Sequence, residues 1–234
     1  MVKRTIFHAG WLSLILFILQ CSGATSESAA ASTTTASTVS PWSQQAYVKA
    51  ANSGANDHYG SAVAIDGDTM VVGALFEDSD SDVIVNGATA DTGDTAADAG
   101  AVYVYRRSGS TWVQEAYLKA PNSDAGDRFG AAVAISGDTI VVGAPEEDSN
   151  STTITNGTTA STNNALTNSG AVYIFKRTGS TWLQEAYIKA GNAGDFDQFG
   201  SAVAIDGDTV IVGATQEDSN ETTITNGAGG GANN

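Results

Sequence analysis

The sequence predicts an all-β chain assembled from repeated antiparallel strands. Three observations carry this reading. The segment YGSAVAIDGDTMVVGA, beginning at Tyr59, returns as FGAAVAISGDTIVVGA at Phe129 and as FGSAVAIDGDTVIVGA at Phe199. Trp42, Trp112 and Trp182 recur every 70 residues, and the register holds at Asn52, Asn122 and Asn192 and at Gly73, Gly143 and Gly213. After residue 41 the chain consists of short β-rich runs broken by Gly, with no helical periodicity.

The elements follow in order. Lys3 and Arg4 precede a mostly apolar run, residues 6–19, that is too short for a membrane span of about 20 residues and reads as an export signal over residues 1–21. The single cysteine, Cys21, excludes an intrachain disulfide. The stretch ILQC resembles a bacterial lipobox, which makes Cys21 a candidate lipidation site. Cleavage after Ala24, behind the small residues SGA, is the alternative and would discard it. Residues 22–41 are Ser, Thr and Ala of low complexity, a tether with too little apolar surface to fold.

Residues 42–234 carry the repeats, as copies 42–111, 112–181 and a truncated 182–234. Each full unit has four strand signals. In the second copy FGAAVAI and TIVVGA flank the turn SGD, a tight hairpin. A long polar stretch follows, then GAVYIFKR and WLQEAYIKA around a second turn. The run AAVAI, small and apolar on both faces, suggests a strand buried on both sides. In WLQEAYIKA, Trp182, Ala186 and Ile188 share one face, while Glu185, Tyr187 and Lys189 share the other, suggesting a half-exposed outer strand. Grading from small inner strands to a polar outer strand suits a β-propeller blade.

The pairs Phe199-Gly200 and Phe129-Gly130, followed by Val212-Gly213-Ala214 and Gly143-Ala144-Pro145, resemble the FG-GAP repeat of integrin-α propellers and their bacterial relatives. The first copy departs from it, with Tyr59-Gly60 and Gly73-Ala74-Leu75. The resemblance covers about residues 42–234. It implies four-stranded antiparallel blades at about 59–120 and 129–190, plus the inner hairpin of a third at 199–214. The strand at 45–50 is then an outer strand without a blade of its own. Propellers close with at least four blades, so this set is incomplete. A fragment of a larger ring, a truncated product, and a protomer that completes a ring with other copies are the three readings, and open blade edges favour self-association.

Charge narrows the partners. The net charge of −16 repels nucleic acid and anionic lipid, leaving a membrane contact only through an N-terminal lipid. Past the leader there is one histidine, His58, replaced by Arg128 and Gln198 in the other copies, so it reads as a surface residue. Triads, dyads and Cys/His zinc sites are excluded with it. Carboxylates are what recur. Asp57, Asp127 and Asp197 precede the first strand, and EDSDSD, EDSN and EDSN follow the second. A blade places both loops at one end. Glu77, Asp78, Glu147, Asp148, Glu217 and Asp218 are therefore candidate ligand-binding residues. Asp57, Asp78, Asp80, Asp82, Asp127, Asp148, Asp197 and Asp218 are candidate Ca²⁺ ligands, since Ca²⁺ takes six to eight oxygens. Turn capping by Asp57, Asp127 and Asp197, and plain solvated acidic loops, are the alternatives. The calcium loops of integrins lie between the first two strands, where this chain has only DGD or SGD, so those ligand positions do not transfer.

The expected function is an exported, non-enzymatic binding or adhesion module. Its long loops, residues 76–99, 146–169 and 216 onward, would meet a protein or glycan ligand. A structural piece of a larger receptor is the alternative, and a carboxylate-based hydrolase a more distant one.

Overall fold

A computed structural model describes the backbone of residues 16–20 and the chain over residues 42–222, 224 and 226. Cys21 and the tether at 22–41 lie outside the described residues. Every element is a strand, and every pairing within the sheets is antiparallel. The first complete blade contains β3 (Tyr59–Asp66), β4 (Thr69–Ala74), β6 (Ala101–Ser108), β7 (Thr111–Leu118) and the short β5 (Val85–Asn86). The second contains β8 (Ala132–Ser136), β9 (Thr139–Ala144), β11 (Ala171–Thr178), β12 (Thr181–Ile188) and β10 (Ile154–Asn156). Strand order from inside outward is β3-β4-β6-β7-β5 and β8-β9-β11-β12-β10. Each sheet therefore has a fifth strand beyond the four expected, drawn from the long polar loop and laid on the outer strand.

Two partial blades flank these. Among the described residues the hairpin β13 (Phe199–Asp206) and β14 (Thr209–Ala214) forms a two-stranded sheet of its own, set against the second blade through Phe199. Before the first, β2 (Ser43–Val48) pairs with β1 (Leu16–Gln20), which lies in the segment read as an export signal. The register of that pair matches the third-to-fourth-strand pair of a blade. Leu16↔Val48 and Phe17↔Tyr47 correspond to Val102↔Leu118 and Tyr103↔Tyr117, with the irregularity at the same step.

Blades meet backbone to backbone. A Cβ on Gly73 would strike the carbonyl oxygen of Gly130, and one on Gly143 that of Gly200. The Phe129 amide donates to the Ala99 carbonyl (2.9 Å), and the Phe199 amide to that of Ser169 (3.0 Å). The Phe-Gly and Val-Gly-Ala motifs thus recur because each Phe-Gly step lies over a glycine of the preceding blade, where no side chain fits. The apolar core fills the same seams. Val71, Val104 and Leu118 of one blade pack with Phe129, Ile140 and Val142 of the next.

Two burial expectations are corrected. The first strands are not covered on both faces, since Val63 and Ile65 are 52% and 58% exposed. The second strands, β4 and β9, are the buried ones. Conversely, Tyr187 and Lys189, assigned to a polar outer face, are buried, because the loop carrying Glu147 folds over them.

Candidate functional site

The leading and trailing loops of each blade come together at one end. The Phe76 amide donates to the Asp57 carbonyl and the Gln216 amide to the Asp197 carbonyl, each at 3.3 Å. In the leading loops each aspartate folds its own turn. Gly54 N–H donates to Asp57 (2.6 Å), Asp124 N–H to Asp127 (3.0 Å) and Gly194 N–H to Asp197 (2.7 Å). All three aspartates are buried. Burial raises their pKa, and neighbouring carboxylates add to it, against the pull of the amide donors. Asp127, beside Glu147, Asp124 and Asp148, is pushed up to about 8.

The trailing loops hold a buried network that joins four parts of the blade. Glu147 accepts from Asn122 Nδ2 (3.0 Å), Tyr187 Oη (2.9 Å), Lys189 Nζ (2.7 Å) and the Ser149 amide (3.2 Å). Tyr173 Oη on the third strand donates to Asn122 Oδ1 (2.8 Å). The first blade repeats this: Asn52 Nδ2 and Lys119 Nζ donate to Glu77 at 2.8 and 3.2 Å. Lys119 Nζ also donates to the Ser79 and Gly100 carbonyls, both at 2.8 Å. Burial raises Glu77, with Lys119 opposing, and burial lowers Lys119 and Lys189. Glu77 and Glu147, two of the candidate binding residues, are therefore buried and act as internal struts of their blades. In the third copy, Glu217 stands at the same position but is exposed, accepting from Asn192 Nδ2 (2.9 Å).

Asp78 and Asp148 clamp the long loops. Their Oδ1 atoms accept from the Asp98 amide (2.8 Å) and the Asn168 amide (2.6 Å), while their carbonyls accept from Ala96 (2.9 Å) and Leu166 (2.8 Å). Asp80, Asp82, Glu217 and Asp218 are exposed. Among the described residues, no group of three or more His, Cys, Asp or Glu side chains is arranged to hold a metal ion. The carboxylates share one end of the blades, and those of Asp57, Asp127, Asp197, Asp78 and Asp148 accept from backbone amides there.

Recurrence at 70 residues, joined to an all-antiparallel blade with glycine-on-glycine seams, decides the family, and the sequence matches that of FG-GAP repeats over residues 42–82, 112–175 and 182–231. The chain belongs to the FG-GAP repeat family. A comparison with curated proteins finds no match. FG-GAP repeats form propeller-type binding or structural modules of non-enzymatic type, and they typically occur in extracellular or exported proteins.

Sequence reasoning missed the partners of the glutamates. Lys119 and Lys189, with Asn52 and Asn122, recur in step with Glu77 and Glu147. That shared period was the available signal. His58 is exposed, its ring 4.6 Å from Phe76.

Proposed function

We propose that this FG-GAP chain is an exported binding module whose long loops form the recognition surface for a protein or glycan. One observation carries the reading: the blades are near-identical scaffolds, whereas the loops between second and third strands are polar, exposed in their middles and fixed at both ends. Asp78 and Asp148 supply the fixing. Loops held on a rigid frame are the usual site of recognition. The contact groups are then Asp80, Asp82, Asp218 and Glu217 with the Asn, Ser and Thr side chains around them. Glu77 and Glu147 act from beneath. Calcium would act as an ordering ion at the exposed carboxylates of the loops. The hydrogen bonds already hold their ends.

Export through residues 1–21, an anchor at Cys21 and a spacer at 22–41 complete this reading, placing the blades beyond a membrane. Replacing the exposed Asp80, Asp82, Glu217 and Asp218 together by serine is expected to abolish binding to immobilised glycans or to whole cells while leaving the fold intact. Undiminished binding refutes the reading. Titration calorimetry with Ca²⁺ tests the ion, and absence of heat removes it. Cys21→Ser, followed by membrane fractionation, tests the anchor. A purely structural module is the second reading, supported by the near-identical inner hairpins that recur in all three copies.

A further inference from the structure

One side chain on the loop face departs from its own repeat. Asn56, Gly126 and Phe196 hold the same position in the three leading loops, one residue before Asp57, Asp127 and Asp197. All three have a left-handed backbone, with φ of 72°, 93° and 68°. Glycine and asparagine tolerate that region, whereas a bulky aromatic residue is disfavoured there. The position also opens to solvent. In the second copy, which has a described long loop on either side, a Cβ added to Gly126 would meet nothing within 4 Å. Asn56 is exposed, and the Phe196 side chain lies in a residue that is 53% exposed. Phe196 thus combines a strained backbone with little burial, so packing within the fold does not explain the ring.

The backbone beneath the ring is fixed. Phe196 N–H donates to the Thr167 carbonyl (2.7 Å), and Thr167 N–H donates to Asp195 Oδ1 (2.8 Å). Gln198 N–H donates to the Asn168 carbonyl (3.0 Å). These bonds join the Phe196 turn to the end of the second long loop. That loop differs from the first in charge. Residues 150–169 contain no charged side chain and are rich in Asn, Ser and Thr, whereas the matching residues 80–99 hold Asp80, Asp82, Asp91, Asp94 and Asp98. Another aromatic of the loop face, Phe76, is already engaged, with the His58 ring 4.6 Å and the Arg128 guanidinium 5.1 Å from its own ring. Among the described residues no ring or cation stacks on Phe196 in this way.

We propose that Phe196 is the aromatic platform of a glycan subsite, on which a neutral pyranose stacks while its hydroxyls bond to side chains of the second long loop. The flat apolar ring matches the C–H face of a sugar. Asn and Thr side chains both donate and accept, as sugar hydroxyls do. A charged ligand is disfavoured here. An anion meets a net charge of −16, and a cation is drawn to the aspartates of the first loop. This inference rests on the loop face being a recognition surface, and of its two partner classes it selects the glycan.

The test uses the full chain and an array of neutral oligosaccharides ending in mannose, galactose, glucose or N-acetylglucosamine. The neutral sugar held most tightly is then titrated by calorimetry. Phe196→Gly and Phe196→Asn restore the residues used by the other copies. Both are expected to melt at or above the temperature of the parent chain while affinity falls at least about tenfold. Phe196→Trp keeps the aromatic face and retains binding. Retention of no neutral sugar by the parent chain overturns the proposal, as does unchanged affinity in Phe196→Gly and Phe196→Asn. A lowered melting temperature in both also overturns it, because the ring is then a structural member. Cell binding that is lost on replacing Asp80, Asp82, Glu217 and Asp218 but is indifferent to Phe196 overturns the subsite and leaves the loop face standing as a recognition surface.

Discussion

Lys119→Met removes one buried ammonium and tests whether the Glu77 network holds the first blade together. Its Nζ serves three acceptors, Glu77 at 3.2 Å and the carbonyls of Ser79 and Gly100 at 2.8 Å. Methionine fills the volume but donates to none. A buried carboxylate left without its cation costs about 3–5 kcal/mol. At roughly 2–4 °C per kcal/mol for a chain of this size, the melting temperature should fall by about 6–20 °C. Glu77 is then expected to titrate upward, since burial already raises it and the opposing lysine is gone. Stability contributed by a carboxyl with a raised folded pKa is present at low pH and lost as pH rises through that pKa. The variant should therefore lie closer to the parent at pH 5 than at pH 8. The double variant Glu77→Gln/Lys119→Met removes both charges and should recover most of the loss. The assay is urea unfolding followed by tryptophan fluorescence, run as a double-mutant cycle at both pH values. A single-variant cost below about 1 kcal/mol, or costs that simply add, refutes the reasoning.

Two further outcomes follow from the seams and the leading loops. Gly143→Ala drives a methyl into the Gly200 carbonyl and should cost about 1–3 kcal/mol, whereas Gly213→Ala, whose Cβ meets nothing nearer than Ala202 at 3.5 Å, should be close to neutral; thermal melts of the pair decide it. Asp127 has a folded pKa near 8 against about 3.9 unfolded, so its contribution is present below pH 4 and lost as pH rises toward 8. Asp127→Asn keeps an acceptor for the Asp124 amide and should raise stability at pH 8.5 more than at pH 5, as read from melting temperatures; an equal effect at both refutes the assignment.

Most of the blade was legible because its strands are written in a fixed period. The hairpins around Gly67, Gly137 and Gly207 fall where the sequence puts them, with positive φ at each glycine. The fifth strands were not legible. Val85–Asn86 and Ile154–Asn156 are two- and three-residue pieces of polar loop that pair only because the outer strand offers a free edge. Burial of Lys189 was hidden for a related reason. Alternation along one strand assigns a face but does not say what covers that face, and the cover comes from a loop about forty residues earlier. The site was half legible. The gathering of the acids at one end followed from blade topology. Which acids point inward depended on lysines and asparagines from other strands, whose matching period is visible only once the glutamates are known to be paired.

The glycine seams have a consequence for how ligands meet this protein. At the glycine seams adjacent blades touch through peptide groups, whose size cannot vary, so the closest approach from blade to blade is fixed there and does not drift with the loop sequences. The loops are thus carried at equal intervals, like teeth on a comb, whatever their own sequences become. A ligand with several binding epitopes can be measured against that interval, and its avidity will depend on how well its own spacing matches.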